Sequence, residues 1–146
     1  MAIADTATEH LLAVLPLINR IVSQAVRQEA GDETTMPQFR ALALLEHTQL
    51  TLSALARSRR VSLQAMGELI QVLVERGWIV RTPDLRDRRQ AQLSLTEAGR
   101  QHFQRAETAS LQHLAPLLAQ LSADELRAVE IALPALQRVL TPAEGE

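Results

Sequence analysis

The chain has 146 residues, of which 47% are apolar and 22% charged, and its formal net charge is −2. That length suits one domain whose core needs no covalent staple. The chain contains no cysteine, which excludes disulfides, thiolate metal sites, nucleophilic thiols and thiol-based redox sensing.

Residues 5–29 are predicted to form a helix, because Leu11, Leu12, Val14, Leu15, Ile18, Ile21, Val22, Ala25 and Val26 recur at helical spacing. Pro16 either opens this helix or kinks it. Gly31–Thr35 has loop composition, and Pro37 then opens a second helix with Phe39, Leu42, Leu44 and Leu45 as its apolar positions. Thr51 is placed to cap a short third helix over 51–57 that turns Leu52, Leu55 and Ala56 inward. Ser58-Arg59-Arg60-Val61 is the turn after it. Ser62 caps a fourth helix that closes at Gly77. Leu63, Met66, Leu69, Ile70 and Leu73 fall on one face of it, and Gln64, Gly67, Glu68, Gln71 and Glu75 on the other.

Two strand-like segments follow, Trp78–Thr82 and Gln90–Leu95, and between them lies Asp84-Leu85-Arg86-Asp87-Arg88-Arg89. Thr96 caps a helix over about 97–120. Ser122 and Glu125 have capping-box spacing and open another that runs to about Leu140. The apolar periods continue past Pro116 and Pro134, so kinks are expected there rather than breaks. The tail 141–146 is expected to fray. Phe39 and Trp78 read as core positions, with the lining of a ligand cavity as the other reading.

These elements give a mainly α, α+β fold: a winged helix-turn-helix core with dimerisation helices at both chain ends. The expected division within one domain is a winged helix-turn-helix lobe over about 36–96 and a helical lobe from about 5–30 and 97–140. The outer helices carry Leu/Val/Ala stripes too long for the central elements to cover, so a second copy of the chain is the expected partner. No basic leader with a long apolar run is present and no apolar stretch approaches ~18 residues. A cytoplasmic protein without a membrane partner is therefore expected.

The small net charge conceals a division. Residues 51–95 hold eight arginines against four acids, whereas the remainder holds seven arginines against thirteen acids. One basic sub-region within an acidic chain is the electrostatic pattern of a nucleic-acid binder. A helix followed by strand, arginine-rich loop and strand points the same way, toward a winged helix on double-stranded DNA.

The chain resembles the MarR family of transcriptional regulators from about residue 36 to about residue 100. The residues that carry the resemblance are Met36–Leu42, Leu52-Ser53-Ala54-Leu55-Ala56, Val61-Ser62, Gln64-Ala65-Met66, Leu73–Ile79, the wing Asp84 with Asp87-Arg88-Arg89, and Leu95–Gly99. It implies a homodimer joined through helices from both chain ends, a palindromic operator, and repression relieved by a small, frequently phenolic ligand. The chain departs from the family pattern at Arg59-Arg60, where many members have Leu-Gly. A glycine there would relieve a positive φ, so either the turn differs or Arg60 carries strain of order 1 kcal/mol.

The candidate DNA-contacting set is Arg57, Arg59, Arg60, Ser62, Gln64, Gly67, Glu68, Arg86, Arg88 and Arg89. Ser62 is sufficiently explained as a cap, and the helix end it closes also suits a phosphate. Gln64, exposed in the first turn, matches the donor-acceptor edge of adenine. Glu68 shares that exposed face. Gly67 serves either close helix packing or close approach to DNA. Arg57, Arg59 and Arg60 suit flanking phosphates, and Arg86 and Arg88 suit the minor groove or its phosphates. Arg89 either joins them or braces the hairpin through ion pairs with Asp84 and Asp87.

No catalytic constellation, metal site or cofactor is expected. The sequence has no Gly-rich phosphate loop, no Gly-x-Ser-x-Gly, no cysteine and no tyrosine. Its four histidines have no metal-ligand spacing, although some related regulators sense zinc through histidines and carboxylates. The competing readings are a metal-responsive regulator and a winged-helix protein–protein module that does not bind DNA.

Overall fold

Thr35, Thr51, Ser62, Thr96 and Ser122 each accept a hydrogen bond from the backbone N–H three residues on, and so set where the helices begin. The computed structural model describes residues 2–30, 34–87 and 89–141. The elements in order are α1 (Ala2–Ala30), α2 (Met36–Leu45), β1 (Leu50–Thr51), α3 (Leu52–Arg59), α4 (Leu63–Glu75), β2 (Ile79–Pro83), β3 (Ala91–Leu95), α5 (Glu97–Leu118) and α6 (Ala123–Leu140). Residues 31–33 of the expected Gly31–Thr35 loop, Arg88, and residues 142–146 of the expected tail lie outside the described residues.

The strands form one antiparallel sheet in the order β1-β3-β2. Ile79 pairs with Leu95, Arg81 with Leu93, and Leu50 with Leu93 from the other side. Side chains alternate along a strand, so Leu93 and Leu95 of β3 both turn into the core with Ile79. Leu42, Leu55, Ile70 and Leu73 complete the fully buried centre, closed by Phe103 of α5. Phe39 stacks on Phe103 with ring centroids 5.1 Å apart.

The structure corrects several boundaries. The third helix runs through Arg59 rather than stopping at 57, and the turn begins at Arg60, in the left-handed region with φ 53°. Its N–H still reaches the Ala56 and Arg57 carbonyls, so the last turn is satisfied at the cost of a strained non-glycine residue. Leu63 does not face inward with Met66, Ile70 and Leu73: it is 54% exposed. The first residue of a helix projects beyond the core that its later turns cover. The sequence carries no signal for β1, because a two-residue strand has no alternation to read. α1 is one helix with Pro16 inside it, where the surrounding turns are solvent-exposed. The proline removes one backbone hydrogen bond from this helix.

The join between the sheet and α5 is tight. Gly77 ends the turn after α4 with φ 79°, and the Trp78 carbonyl accepts the Thr96 N–H at 3.0 Å. Gly99 is buried directly against Trp78; a Cβ there would overlap the Trp78 carbonyl oxygen. One turn further along, the His102 ring stacks on the Trp78 indole, with centroids 3.7 Å apart and planes 14° from parallel.

α1 packs along α5. Ala25 and Val26 of α1 are buried there, as are Ala106 and Ala109 of α5, and the small side chains let the backbones approach closely. The first half of α1 gains no such cover. Leu11, Leu12, Val14, Leu15, Leu17 and Ile18 are all exposed, and α6 buries none of its residues.

Candidate nucleic-acid interface

The helix-turn-helix is built from two capped helices and one strained residue. α3 packs on α4 through Leu55 and Ala56 against the Met66–Ile70 face. Ser62 Oγ accepts the Ala65 N–H at 3.1 Å, so its cap role is directly visible. Gln64, Glu68, Gln71 and Glu75 lie at i, i+4, i+7 and i+11 and are all exposed, forming one polar stripe along α4. Gly67 lies beside that stripe, half-buried over Leu52. A Cβ added to it would stand 3.7 Å from Leu52 Cδ2, an ordinary contact, so packing within the chain does not demand glycine.

Among the described residues, the wing is held by hydrogen bonds from its backbone to its aspartates and by no ion pair. Asp84 Oδ1 accepts the Arg86 N–H at 2.9 Å, and Asp87 Oδ1 accepts the Arg89 N–H at 3.0 Å. Asp84 Oδ2 also accepts from Gln92 Nε2, and the Gln90 N–H donates to the Asp87 carbonyl. These bonds satisfy the turn's backbone locally and fix its shape. No ion pair links the Arg89 guanidinium to Asp84 or Asp87 among the described residues, which corrects the bracing role offered for it as an alternative. The Arg86 and Arg89 side chains are exposed, and Arg88 lies outside the described residues.

Two features put the wing and α4 on the same side of the molecule. The Arg81 guanidinium, on β2, donates to Gln71 Oε1 of α4 at 2.9 Å, and Gln71 in turn donates to Glu75. In addition, Leu52, Ser53, Leu63, Arg81, Arg89 and Gln90 line a shared groove of about 240 Å³. The sequence places Arg81 only in a strand. Its link to α4 depends on the β2–α4 crossing, for which nothing local gives a signal.

Arg57 is exposed and Arg59 half-buried in the last turn of α3, and Arg60 is exposed immediately after it. They precede the N-terminus of α4, where the helix dipole adds positive potential. The interface thus combines an exposed polar stripe, a helix N-terminus, and arginines on both flanks.

The histidines have other roles. His102 Nε2 lies 3.2 Å from Thr34 Oγ1, and both residues are buried. Its pKa is lowered, first by burial and then by the Arg105 and Arg76 charges. Arg76 also lies over the Trp78 ring, 5.3 Å from its centroid, and donates to Gln38 Oε1 at 3.2 Å. His113 bridges α5 to Gln28 of α1 at 3.0 Å. Among the described residues no helix is long and apolar enough to cross a membrane.

Comparison with known proteins agrees with this geometry. The MarR family profile matches residues 34–90. The chain is similar to the crystal structure of RV1404 from Mycobacterium tuberculosis, with 27% identity, a TM-score of 0.83 and 97% of each chain covered. It is also similar to the M. tuberculosis MarR family protein RV2887, with 29% identity, a TM-score of 0.67, and 93% of this chain and 98% of the other covered. The fold is shared with a mutant MarR from E. coli complexed with operator DNA, at 23% identity, a TM-score of 0.65 and coverages of 90% and 94%. No protein of curated function matches the chain. The family match across residues 34–90, within a likeness that spans nearly the whole chain, marks this segment as a winged helix-turn-helix of the kind found in MarR-family DNA-binding transcriptional regulators.

Proposed function

We propose that the protein is a sequence-specific regulator that binds a palindromic double-stranded operator as a homodimer. α4 enters the major groove, and the wing lies along the adjacent minor groove. The observation that carries this reading is the common placement of α4 and the arginine-bearing wing around one groove, joined by the Arg81–Gln71 hydrogen bond. A dimer is supported by the uncovered apolar residues of α1 and α6. Two-fold symmetry would present two copies of α4 to half-sites about one helical turn apart, or a multiple of that. Within this set Gln64 reads a base edge, Ser62, Arg57, Arg59 and Arg60 position the backbone, and Arg86, Arg88 and Arg89 serve the wing contact. Glu68 flanks Gln64 on the same face, and Gly67 permits close approach. The regulatory sense is repression, relieved by a small aromatic or phenolic ligand, and it rests on the family resemblance alone.

The test is selection of bound fragments from a random duplex pool by the purified protein, repeated with a panel of aromatic acids and divalent metals. A recovered palindrome and release by an aromatic acid are expected. Failure to retain any duplex at low salt would leave a protein–protein module as the reading, and release by a metal alone would indicate a metal-responsive regulator.

A further inference from the structure

The wing tip carries a side chain that neither the fold nor the arginine chemistry uses. Leu85 is fully exposed, at 101% of its reference surface, between Asp84 and Arg86. It touches no part of the core, so it contributes nothing to folding that a polar residue would not. Its backbone is nevertheless fixed. The Asp84 carboxylate holds the Arg86 N–H at 2.9 Å and the Gln92 side chain at 3.3 Å, and the Asp84 N–H is bonded to the Gln90 carbonyl at 3.1 Å. The leucine is thus presented outward on a turn whose hydrogen bonds are closed within the chain, which keeps the entropic cost of using it small.

We infer that Leu85 is an apolar contact of the wing within the DNA minor groove, packing against deoxyribose while Arg86 beside it meets the negative potential. This rests on the proposed DNA-binding reading. Charge complementarity chooses the occupant. Arg86 and Arg89 are exposed on the same turn, and Arg89 and Arg81 line the groove that leads back to α4. A protein partner's buried centre is depleted in such charges, whereas a minor groove offers apolar sugar walls between two rows of phosphate. Minor-groove proteins commonly combine cationic side chains with an aliphatic one.

The two side chains have different electrolyte signatures. A leucine displaces no counterions, so Leu85→Ala should weaken binding by about ten-fold through reduced apolar burial, leaving the slope of log affinity against log salt unchanged. Arg86→Ala should weaken binding and flatten that slope. Leu85→Met, which keeps an aliphatic reach, should restore most of the affinity. All three variants are measured as full-length protein on the selected operator and on an unrelated duplex, with thermal melting alongside. Wild-type affinity in Leu85→Ala, together with a flattened slope in Arg86→Ala, would overturn the leucine contact and leave the wing on DNA. If neither variant differs from wild type, the wing does not reach DNA, and both the inference and the wing assignment fail. A Leu85→Ala loss accompanied by a changed slope would also overturn it, since the effect would then be electrostatic.

Discussion

Gln64 and Gly67 stand one turn apart on the same helix and separate two ways in which a residue serves an interface. Gln64 is exposed in the first turn of α4, and its side-chain amide supplies the donor and acceptor that an adenine edge requires. Gln64→Ala should therefore lose discrimination at one base pair per half-site, by about 1–3 kcal/mol, with no change in salt dependence. Competition binding against operators mutated at each position measures it; uniform loss on all duplexes would contradict a readout role. Gly67 costs the helix about 1 kcal/mol relative to alanine, and Leu52 leaves room for a methyl group. Gly67→Ala should thus raise thermal stability while weakening DNA binding. A variant that melts lower would show that the glycine serves packing after all. Capping residues such as Ser62 and Thr96 were legible in the sequence because a cap is a local hydrogen bond between near neighbours. The strain at Arg60 was legible only as an alternative, since the backbone there is decided by how α3 meets α4.

The elements meet at one joint, where Trp78, between α4 and β2, is clasped by Thr96, which caps α5, and by Gly99 and His102 of α5. Nothing in the sequence singled out His102 from three other scattered histidines, because its partners Thr34 and Trp78 are distant in the chain and only the packing of α5 brings them together. The joint should make stability depend on pH. Burial and the Arg105 and Arg76 charges lower the folded-state pKa of His102, so below about 6.5 the unfolded chain takes up a proton that the folded chain refuses. The contribution is fully present above that pH and is lost as pH falls through the lowered folded-state value. Urea unfolding from pH 7.5 to 5 should show wild type losing stability faster than His102→Phe, which keeps an aromatic ring against Trp78 without a titrating nitrogen. Parallel curves would show that His102 does not titrate in the fold.

At the scale of the whole molecule the charge division has a structural counterpart. The basic segment 51–95 builds the helix-turn-helix and wing, and the acidic remainder builds most of the long helices. That division, the order of the elements and the wing were legible because periodicity, caps and charge runs are local. How the outer helices are covered was legible only as an unmet need. The exposed stripe of α1 from Leu11 to Ile18 and the uncovered Ile131, Leu133 and Val139 of α6 remain open in the single chain. The protein should accordingly sediment at twice its chain mass at micromolar concentration, and Leu15→Glu combined with Ile131→Glu should reduce or abolish dimerisation. A folded wild-type monomer would contradict the dimer. The wing arginines should meet DNA through charge, and the salt dependence of binding by Arg86→Ala is the measurement that shows it. Arg86 is exposed and holds the turn only through its backbone, so its replacement should leave the melting temperature unchanged. Binding to operator and unrelated duplex should weaken by similar factors, and the slope of log affinity against log salt should flatten by ~0.9 for each phosphate no longer neutralised. Unchanged affinity and slope in a normally folded variant would mean that the wing does not touch DNA.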